Sequence, residues 1–320
     1  MKPVTRLPAA RNIGRRRRVR SESEIIERLQ EITKRPKGSG ITLGIGDDCA
    51  IYRPKGSAED LLFTVDLFIE GVHFLRKTHK AAQIGRNALA RSLSDIAAMG
   101  GVPRFCLVSL CVPRWASDRW VAEFFDSLAQ LAAHTETALV GGDLSRGEQC
   151  ICDVTVCGVA PRGKALCRDG AKARDAIYVS GALGGSARGL ESRKGKAWRR
   201  HLNPEPRLGL GVFLRDHLRA TASIDISDGL SLDLRRVCLA SGLAAEISDP
   251  PRFRGATLDQ ALHGGEEYEL LFTVRPGIEV PEGFEGIPLT RIGTIIKGPP
   301  GEVRHNGSAL PPMGFDHFRK

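Results

Sequence analysis

Five acidic motifs put carboxylates where carboxylates are costly: Asp47-Asp48 in "GIGDDCA", Asp66 in "TVDLFIEGVHF", Asp95 in "SLSDIAAMGG", Asp143 in "VGGDLSRG" and Asp225 with Asp228 in "IDISDG". Asp47 and Asp48 stand between glycines and the small apolar run Cys49-Ala50-Ile51-Tyr52. Two carboxylates there repel unless water or a cation comes between them. Asp95 falls in the last turn of a predicted helix, where the macrodipole disfavours an anion by about 0.3–1 kcal/mol. A bound cation offsets that, as would an ion pair with Arg91 one turn earlier, or solvent. In "ASIDISDGL" Ile224 and Ile226 point to the core, so Asp225 and Ser227 share the opposite face. Asp228 sits at the strand-to-helix turn and also fits an ordinary N-cap for a helix from Leu230. Asp225 has no such capping job.

Hard oxygen donors dispersed over several strand ends, without His or Cys among them, suit Mg²⁺ bridging to phosphates better than zinc. The chain has neither a GxxxxGK[ST] loop nor a GxGxxG that opens a helix after a strand. "GALGGSARG" fits a phosphate cradle or a plain tight turn equally well. GxSxG and HExxH are absent, so neither serine-nucleophile nor zinc-hydrolase chemistry is indicated.

The elements that must position these acids follow from periodicity. "SESEIIERLQEIT" predicts a helix capped by Ser21 or Ser23, with Ile25, Ile26, Leu29 and Ile32 as its buried stripe. "DLLFTVDLFIEGVHF" alternates as a strand, with Phe63, Val65, Leu67 and Ile69 expected on the core face and Thr64, Asp66, Phe68 and Glu70 opposite. Residues 80–99 predict a helix stopped by Gly100-Gly101 and Pro103. "RFCLVSLCV" reads as a strand and the stretch after Ser117 as a helix. "ALVGGDLSRG" and "CICDVTVCGVA" read as strand, acidic glycine turn, strand. A second unit opens with "DAIYVSGALGGSARGLES" as strand, turn and helix, and later strands follow in "EEYELLFTV" and "LTRIGTII". The expected division is a basic arm at 1–20, an N-terminal domain at 21–161 and a C-terminal α/β domain at 162–320.

Composition limits the partners. The 320 residues are 42% hydrophobic and 26% charged, enough for two domains. The formal charge is +10, but residues 1–20 carry eight Lys or Arg and no acid, which leaves about +2 for the rest. The basic character belongs to "RNIGRRRRVR", a solvated arm by default and an RNA, lipid or targeting element in the alternative. With no apolar run of membrane length, the expectation is a cytoplasmic protein. Of the eight cysteines, Cys150, Cys152, Cys157 and Cys167 are densest. Alternation puts Cys150 and Cys152 on one strand face and Cys157 on the other, and no CxxC occurs, so buried free thiols are expected.

"GIGDDCA", "TVDLFIEGVHF", "NALARSLSDIAAMGG", "VGGDLSRG", "RDGAKARDAIYVSG", "IDISDGLSLDL" and "GGEEYELLFTV" stand in the order and spacing of thiamine-monophosphate kinases, which the chain resembles from about Ser23 to His317. That family is similar to aminoimidazole ribonucleotide synthetase, selenophosphate synthetase and a hydrogenase-maturation protein. The tail "HFRK" lacks the reactive C-terminal Cys of the last, and "GVHF" with the terminal "GFDHF" favours the thiamine branch. The resemblance implies two domains in an α+β / α/β fold, a mixed N-terminal sheet with helices, and a homodimer formed through that sheet. It also implies transfer of the ATP γ-phosphoryl group to thiamine monophosphate, giving thiamine diphosphate. The alternatives are an ATP-dependent synthetase acting on a ribonucleotide, or an inactive relative that binds nucleic acid through the arm.

Carried over by position, the resemblance implies that Asp48, Thr64, Val65, Asp66, Asp95, Asp143, Asp225 and Asp228 ligate several Mg²⁺ ions, some through water. Gly142, Asp143, Arg168 and Ser227 would contact ATP, and His73, Glu266 and Phe315 would contact the substrate. Where the family often has Thr, Val65 offers only its backbone carbonyl. The tail aromatic is Phe315 where Tyr or Trp is common, which keeps stacking and loses a polar handle. His73 also fits a solvent-facing strand end, Glu266 a surface acid no better placed than Glu267, and Arg168 a simple partner for Asp169. Asp47 is expected to organise the loop that presents Asp48.

Overall fold

The computed structural model describes residues 21–33, 36 and 38–318, so the basic arm lies outside the described residues. The chain divides into two compact units. The smaller takes residues 1–34 and 316–320. Its described helix is α1 (Glu22–Ile32), capped by the Ser21 hydroxyl, which accepts the Glu24 N–H at 3.2 Å. The Glu22 N–H donates to the Asp316 carboxylate at 3.3 Å. The expected apolar stripe is not buried: Leu29 is 39% exposed and Ile32 65%. Helical spacing fixed which residues share a face but not what covers them.

The larger unit, residues 35–315, holds two sheets. The first contains β1 (Ile41–Leu43), β2 (Ala50–Tyr52), β3 (Glu59–Ile69), β4 (Val102–Pro113), β5 (Ala138–Gly147) and β6 (Ile151–Pro161), in the order β1-β2-β3-β6-β4-β5. Only β4 and β5 run parallel. Helices α2 (Ala81–Ala98) and α3 (Asp118–His134) bring Ile84, Leu89, Leu93, Phe124 and Leu128 into one core with Leu62, Val108, Leu110, Val154 and Val156. Full burial of each such side chain contributes about 1.5–3 kcal/mol. The two helices meet at Gly85, where a Cβ would stand 2.0 Å from the Phe124 carbonyl oxygen.

Two strand expectations are corrected. On β3 the apolar set is the exposed one: Phe63 is 36% exposed, Leu67 50% and Val65 61%, while Thr64 and Phe68 are buried on the helix side. Alternation correctly separated the two faces, but the helices lie on the face that carries Thr64 and Asp66. The "GGD" stretch is no turn either, since Gly142 and Asp143 lie inside β5, paired with Val108 and Ser109. Gly142 permits this pairing, because a Cβ there would stand 1.8 Å from the Val108 carbonyl oxygen. All eight cysteines are free, with Cys150, Cys152 and Cys157 buried.

The second sheet contains β7 (Ala176–Ser180), β8 (Ala222–Asp225), β9 (Ala244–Ile247), β10 (Leu270–Val274), β11 (Gly283–Phe284), β12 (Ile287–Ile296), β13 (Val303–His305) and β14 (Ser308–Ala309). Its order is β14-β13-β9-β12-β7-β10-β8, with β11 paired to β12. The helices around it are α4 (Gly185–Ser192), α5 (Gly195–Leu202), α6 (Leu208–Phe213), α7 (Leu230–Ser241) and α8 (Leu258–His263). Leu230, Leu234, Leu262, Ile224 and Leu271 form one core. Leu270 and Phe272 join Leu210 of α6 and Ala97 and Ala98 of α2 in another. The α2 helix therefore packs on both sheets, and the fold is α+β with two mixed sheets.

Candidate active site

Helix α2 gathers the site. Ser94 donates its hydroxyl to Asp225 Oδ2 at 2.7 Å, and Asp95 accepts the Thr64 hydroxyl at Oδ2. Asp48, in the glycine turn, completes the group: one carboxylate oxygen each from Asp48, Asp95 and Asp225 lies within 4.8 Å of the others. Burial, then the charges of Asp66, Asp225 and Asp48, pushes the Asp95 carboxyl well above its ordinary range. Burial and Asp48 push Asp225 up to about 8. Asp66 projects from β3 toward the same helix; burial raises it against the opposing pull of Arg91 and Ser92. Asp48 Oδ2 is buried and has no hydrogen-bond partner. Three clustered carboxylates, two of them raised by burial and the third, Asp48, with an orphaned oxygen, fit a hard divalent cation such as Mg²⁺.

Asp47 and Arg168 hold this turn. Asp47 accepts the Asp48 N–H at 2.9 Å and the Arg168 N–H at 3.0 Å. Burial and the neighbouring Asp48 push it up to about 7, against the Arg168 charge. The Arg168 guanidinium bonds Asp48 Oδ1, so its partner is the acidic turn rather than Asp169.

Asp228 is not the N-cap of α7. That place belongs to Gly229, and the buried Asp233 carboxylate accepts the N–H groups of Asp228 and Gly229 at 3.1 and 3.0 Å. The Asp228 side chain pairs with Arg236 at 2.7 Å. Ser227 lies 3.3 Å from Asp225 Oδ1 through its hydroxyl. Phe315, 48% exposed, is tied by its N–H to the Asp228 carbonyl at 2.9 Å.

Beside the carboxylates, Phe68, His73, Asn87, Arg91, His201 and Glu266 line a chamber that their own side chains nearly fill. The His73 ring accepts the Ile69 N–H at 3.0 Å and stacks on Phe68, with centroids 5.6 Å apart. Arg91 donates to Glu266 at 3.1 Å, so it is not the ion-pair partner of Asp95. Glu267 points elsewhere, to the Ser186 N–H at 2.8 Å and Arg200 at 3.0 Å, which singles out Glu266 as the acid at the chamber.

Two expected residues stand apart. Val65 presents its side chain on the exposed face of the first sheet. Asp143 lies in register with Ser109, and through it with Asp153 and Leu67, on that same face, so it is not in the carboxylate group. Sequence reasoning missed Ser94, Arg236, Asp233 and the Arg91–Glu266 pair. Only the last left a signal, Arg91 set among Ala88, Ala90, Ser92 and Ser94 of α2.

The two-sheet fold with clustered acids defines a class. Residues 46–160 match the N-terminal domain of AIR synthase related proteins. Over 88% of its length the chain is 33% identical to the thiamine-monophosphate kinase of Bacillus subtilis, covering 95% of that protein. It is 36% identical to that of Escherichia coli K12 over 87% of the chain, covering 92% of that protein. A solved structure described as AaThiL complexed with AMPPCP and TMP superposes with a TM-score of 0.82 at 30% identity, covering 93% of this chain and 97% of that one. The chain belongs to the thiamine-monophosphate kinase family.

Proposed function

We propose that this chain transfers the γ-phosphoryl group of ATP to thiamine monophosphate, releasing ADP and thiamine diphosphate. The observation that carries the reading is the Asp48, Asp95 and Asp225 group with its orphaned oxygen, next to a chamber bearing Glu266 and His73. Relatives named for this activity, and a solved structure described with an ATP analogue and TMP, support it. An acceptor phosphate oxygen attacks the γ-phosphorus in line while the bond to the β–γ bridging oxygen breaks. That acceptor is already anionic, so no strong general base is needed and positioning carries the work.

Asp48, Asp95 and Asp225 would hold Mg²⁺, with Thr64, Asp66 and Asp228 around them. When bound, the ion neutralises charge on the phosphates. Arg168 and Ser227 would bind ATP, the guanidinium being suited to polyphosphate oxygens. His73, Glu266 and Phe315 would receive thiamine monophosphate. We propose a homodimer through the exposed face of the first sheet, where Phe63, Val65 and Leu67 lie bare. Gly142 and Asp143 would then act beside that interface, and the Val65 carbonyl would be at most a minor ligand. Residues 21–161 and 162–320 would be the two domains, and the location would be the cytoplasm. Among the described residues no helix is long and apolar enough to cross a membrane.

The test is turnover: thiamine monophosphate, ATP and MgCl₂ should yield thiamine diphosphate, detected by chromatography. Formation of none, by protein shown to be folded, would sink the proposal. Asp66→Asn should keep the wild-type circular dichroism spectrum and lose more than about 99% of turnover, a scale set by the several kcal/mol such charge neutralisation supplies. An active variant would contradict the assignment of Asp66.

A further inference from the structure

The chamber beside the carboxylates contains a cation of its own. The Arg91 guanidinium carbon lies 5.4 Å from the Phe68 ring centroid and 5.8 Å from that of Tyr268, inside cation–π range of both. One of its nitrogens donates to Glu266, while Nε is buried with no partner. An arginine placed only for stability would be expected to satisfy its buried donors, since leaving one unpaired costs about 1–3 kcal/mol.

The opposite wall is held in a demanding conformation. Glu266 and Tyr268 have φ of 60° and 52°, in the left-handed region that side chains rarely adopt, at a cost of about 1–3 kcal/mol each. The backbone is pinned there: the Glu266 N–H donates to the Ser227 carbonyl at 2.7 Å and the Tyr268 N–H to the Ile226 carbonyl at 2.9 Å. Glu267, between them, is anchored to Ser186 and Arg200. The chain thus accepts strain to aim one carboxylate at Arg91.

We infer that Arg91 is a positioning residue for substrate recognition, holding Glu266 in place and ionised so that its second oxygen can receive the permanently positive ring of the substrate. This rests on the proposed function for the identity of that ring. Burial raises the Glu266 carboxyl, and Arg91 leads the opposing pull. The other charged or titratable groups around Glu266 are His201, 3.5 Å away, His79, His73, Tyr268 and Asp228. Burial takes His201 down to about 4 and lowers His79. Tyr268 is raised well above its ordinary value. None of these three changes charge between about pH 7 and 9, given those directions and ordinary ranges. With Arg91 removed, burial loses its strongest opponent, the Glu266 carboxyl is raised further, and it takes up a proton more readily as the pH falls.

Two measurements test this on the full chain. The first is the ¹³C titration of the Glu266 carboxyl, identified as the resonance lost in Glu266→Gln. Its midpoint should rise by about one unit or more in Arg91→Met and return in Arg91→Lys. The second is the KM for thiamine monophosphate. In Arg91→Met it should rise about tenfold at the low end of the range from about pH 7 to 9 and by less as the pH is raised, with kcat changed less, because one unit is a factor of ten in protonation. An unmoved Glu266 midpoint, or a KM shift with no pH dependence, would overturn the inference. A shifted midpoint in a protein that does not phosphorylate thiamine monophosphate would leave the Arg91–Glu266 coupling standing and remove its proposed use.

Discussion

Asp48, Asp95 and Asp225 make the folded chain pay for its site, because three carboxylate oxygens within 4.8 Å repel one another in a desolvated place. Asp95 and Asp225 are raised above their unfolded range, so the folded protein holds more protons than the unfolded one over that interval. In metal-free protein this favours the fold at low pH, and stability falls as the pH climbs through the folded value, about 8 for Asp225. Asp225→Asn removes one of the charges. At pH 8 and without Mg²⁺ it should therefore raise Tm by a few degrees, following the scale of about 1 kcal/mol per 2–4 °C for a chain this size. MgCl₂ should raise Tm in the wild type and much less in the variant, read by differential scanning fluorimetry; equal responses would refute the metal group. These acids were legible in the sequence because acids are conspicuous in apolar surroundings. Asp233 was not, since a carboxylate four residues into a helix gives no sign that it will turn back to bind the N–H groups of Asp228 and Gly229.

At the scale of elements, the loop after α5 is tied to the second sheet by charge. Glu269, at the edge of β10, is fully buried and accepts bonds from Arg207 at 2.6 and 2.9 Å, from Arg200 at 2.9 Å and from Ser180 at 2.5 Å. Burial alone would raise its carboxyl, but the Arg207 hydrogen bonds and the two arginine charges outweigh that and hold it below the ordinary glutamate range. Its stabilisation is therefore complete above the unfolded pKa and disappears as the pH falls through the lower folded one. Glu269→Gln should cost about 3–5 kcal/mol at pH 7, because it strips the mostly buried Arg207 guanidinium of this carboxylate and leaves Arg200 with Glu267 as its carboxylate partner. Stability should also depend less on pH below about 5 than in the wild type. Chemical denaturation at both pH values checks this, and a wild-type midpoint at pH 7 would refute it. Strand and helix positions were readable from periodicity, whereas the sense of β3 was not. Alternation separates Phe63, Val65 and Leu67 from Thr64, Asp66 and Phe68, but two apolar-rich faces do not reveal which one the helices cover.

For the whole molecule, the bare face of the first sheet is the feature that most needs a partner. A row of exposed Phe63, Val65, Leu67 and Leu107 is unusual for a monomer's surface and, in the proposed homodimer, would be buried. Val65→Lys should shift the protein from dimer to monomer in light scattering after size exclusion. Activity should fall with it if Asp143 works beside the interface. A wild type that is monomeric at micromolar concentration would refute the dimer. The sequence alone gave the family's motifs and their order. It could not show that Asp143 lies across the sheet from the other acids, since that depends on which strands become neighbours.

Three consecutive contacts of α2 reach different parts of the large unit: Arg91 to the Glu266 loop, Ser94 to β8 and Asp95 to β3. An ion shared by Asp48, Asp95 and Asp225 would therefore join the glycine turn, the helix and the second sheet, whose ligands stand 47 and 130 residues apart along the chain. Its binding free energy would enter the closure of the two sheets as a cross-link does, and amide exchange in β8 and β3 would slow together when the ion arrives. Occupancy of the site and tightness of the tertiary fold would then be two readings of one equilibrium.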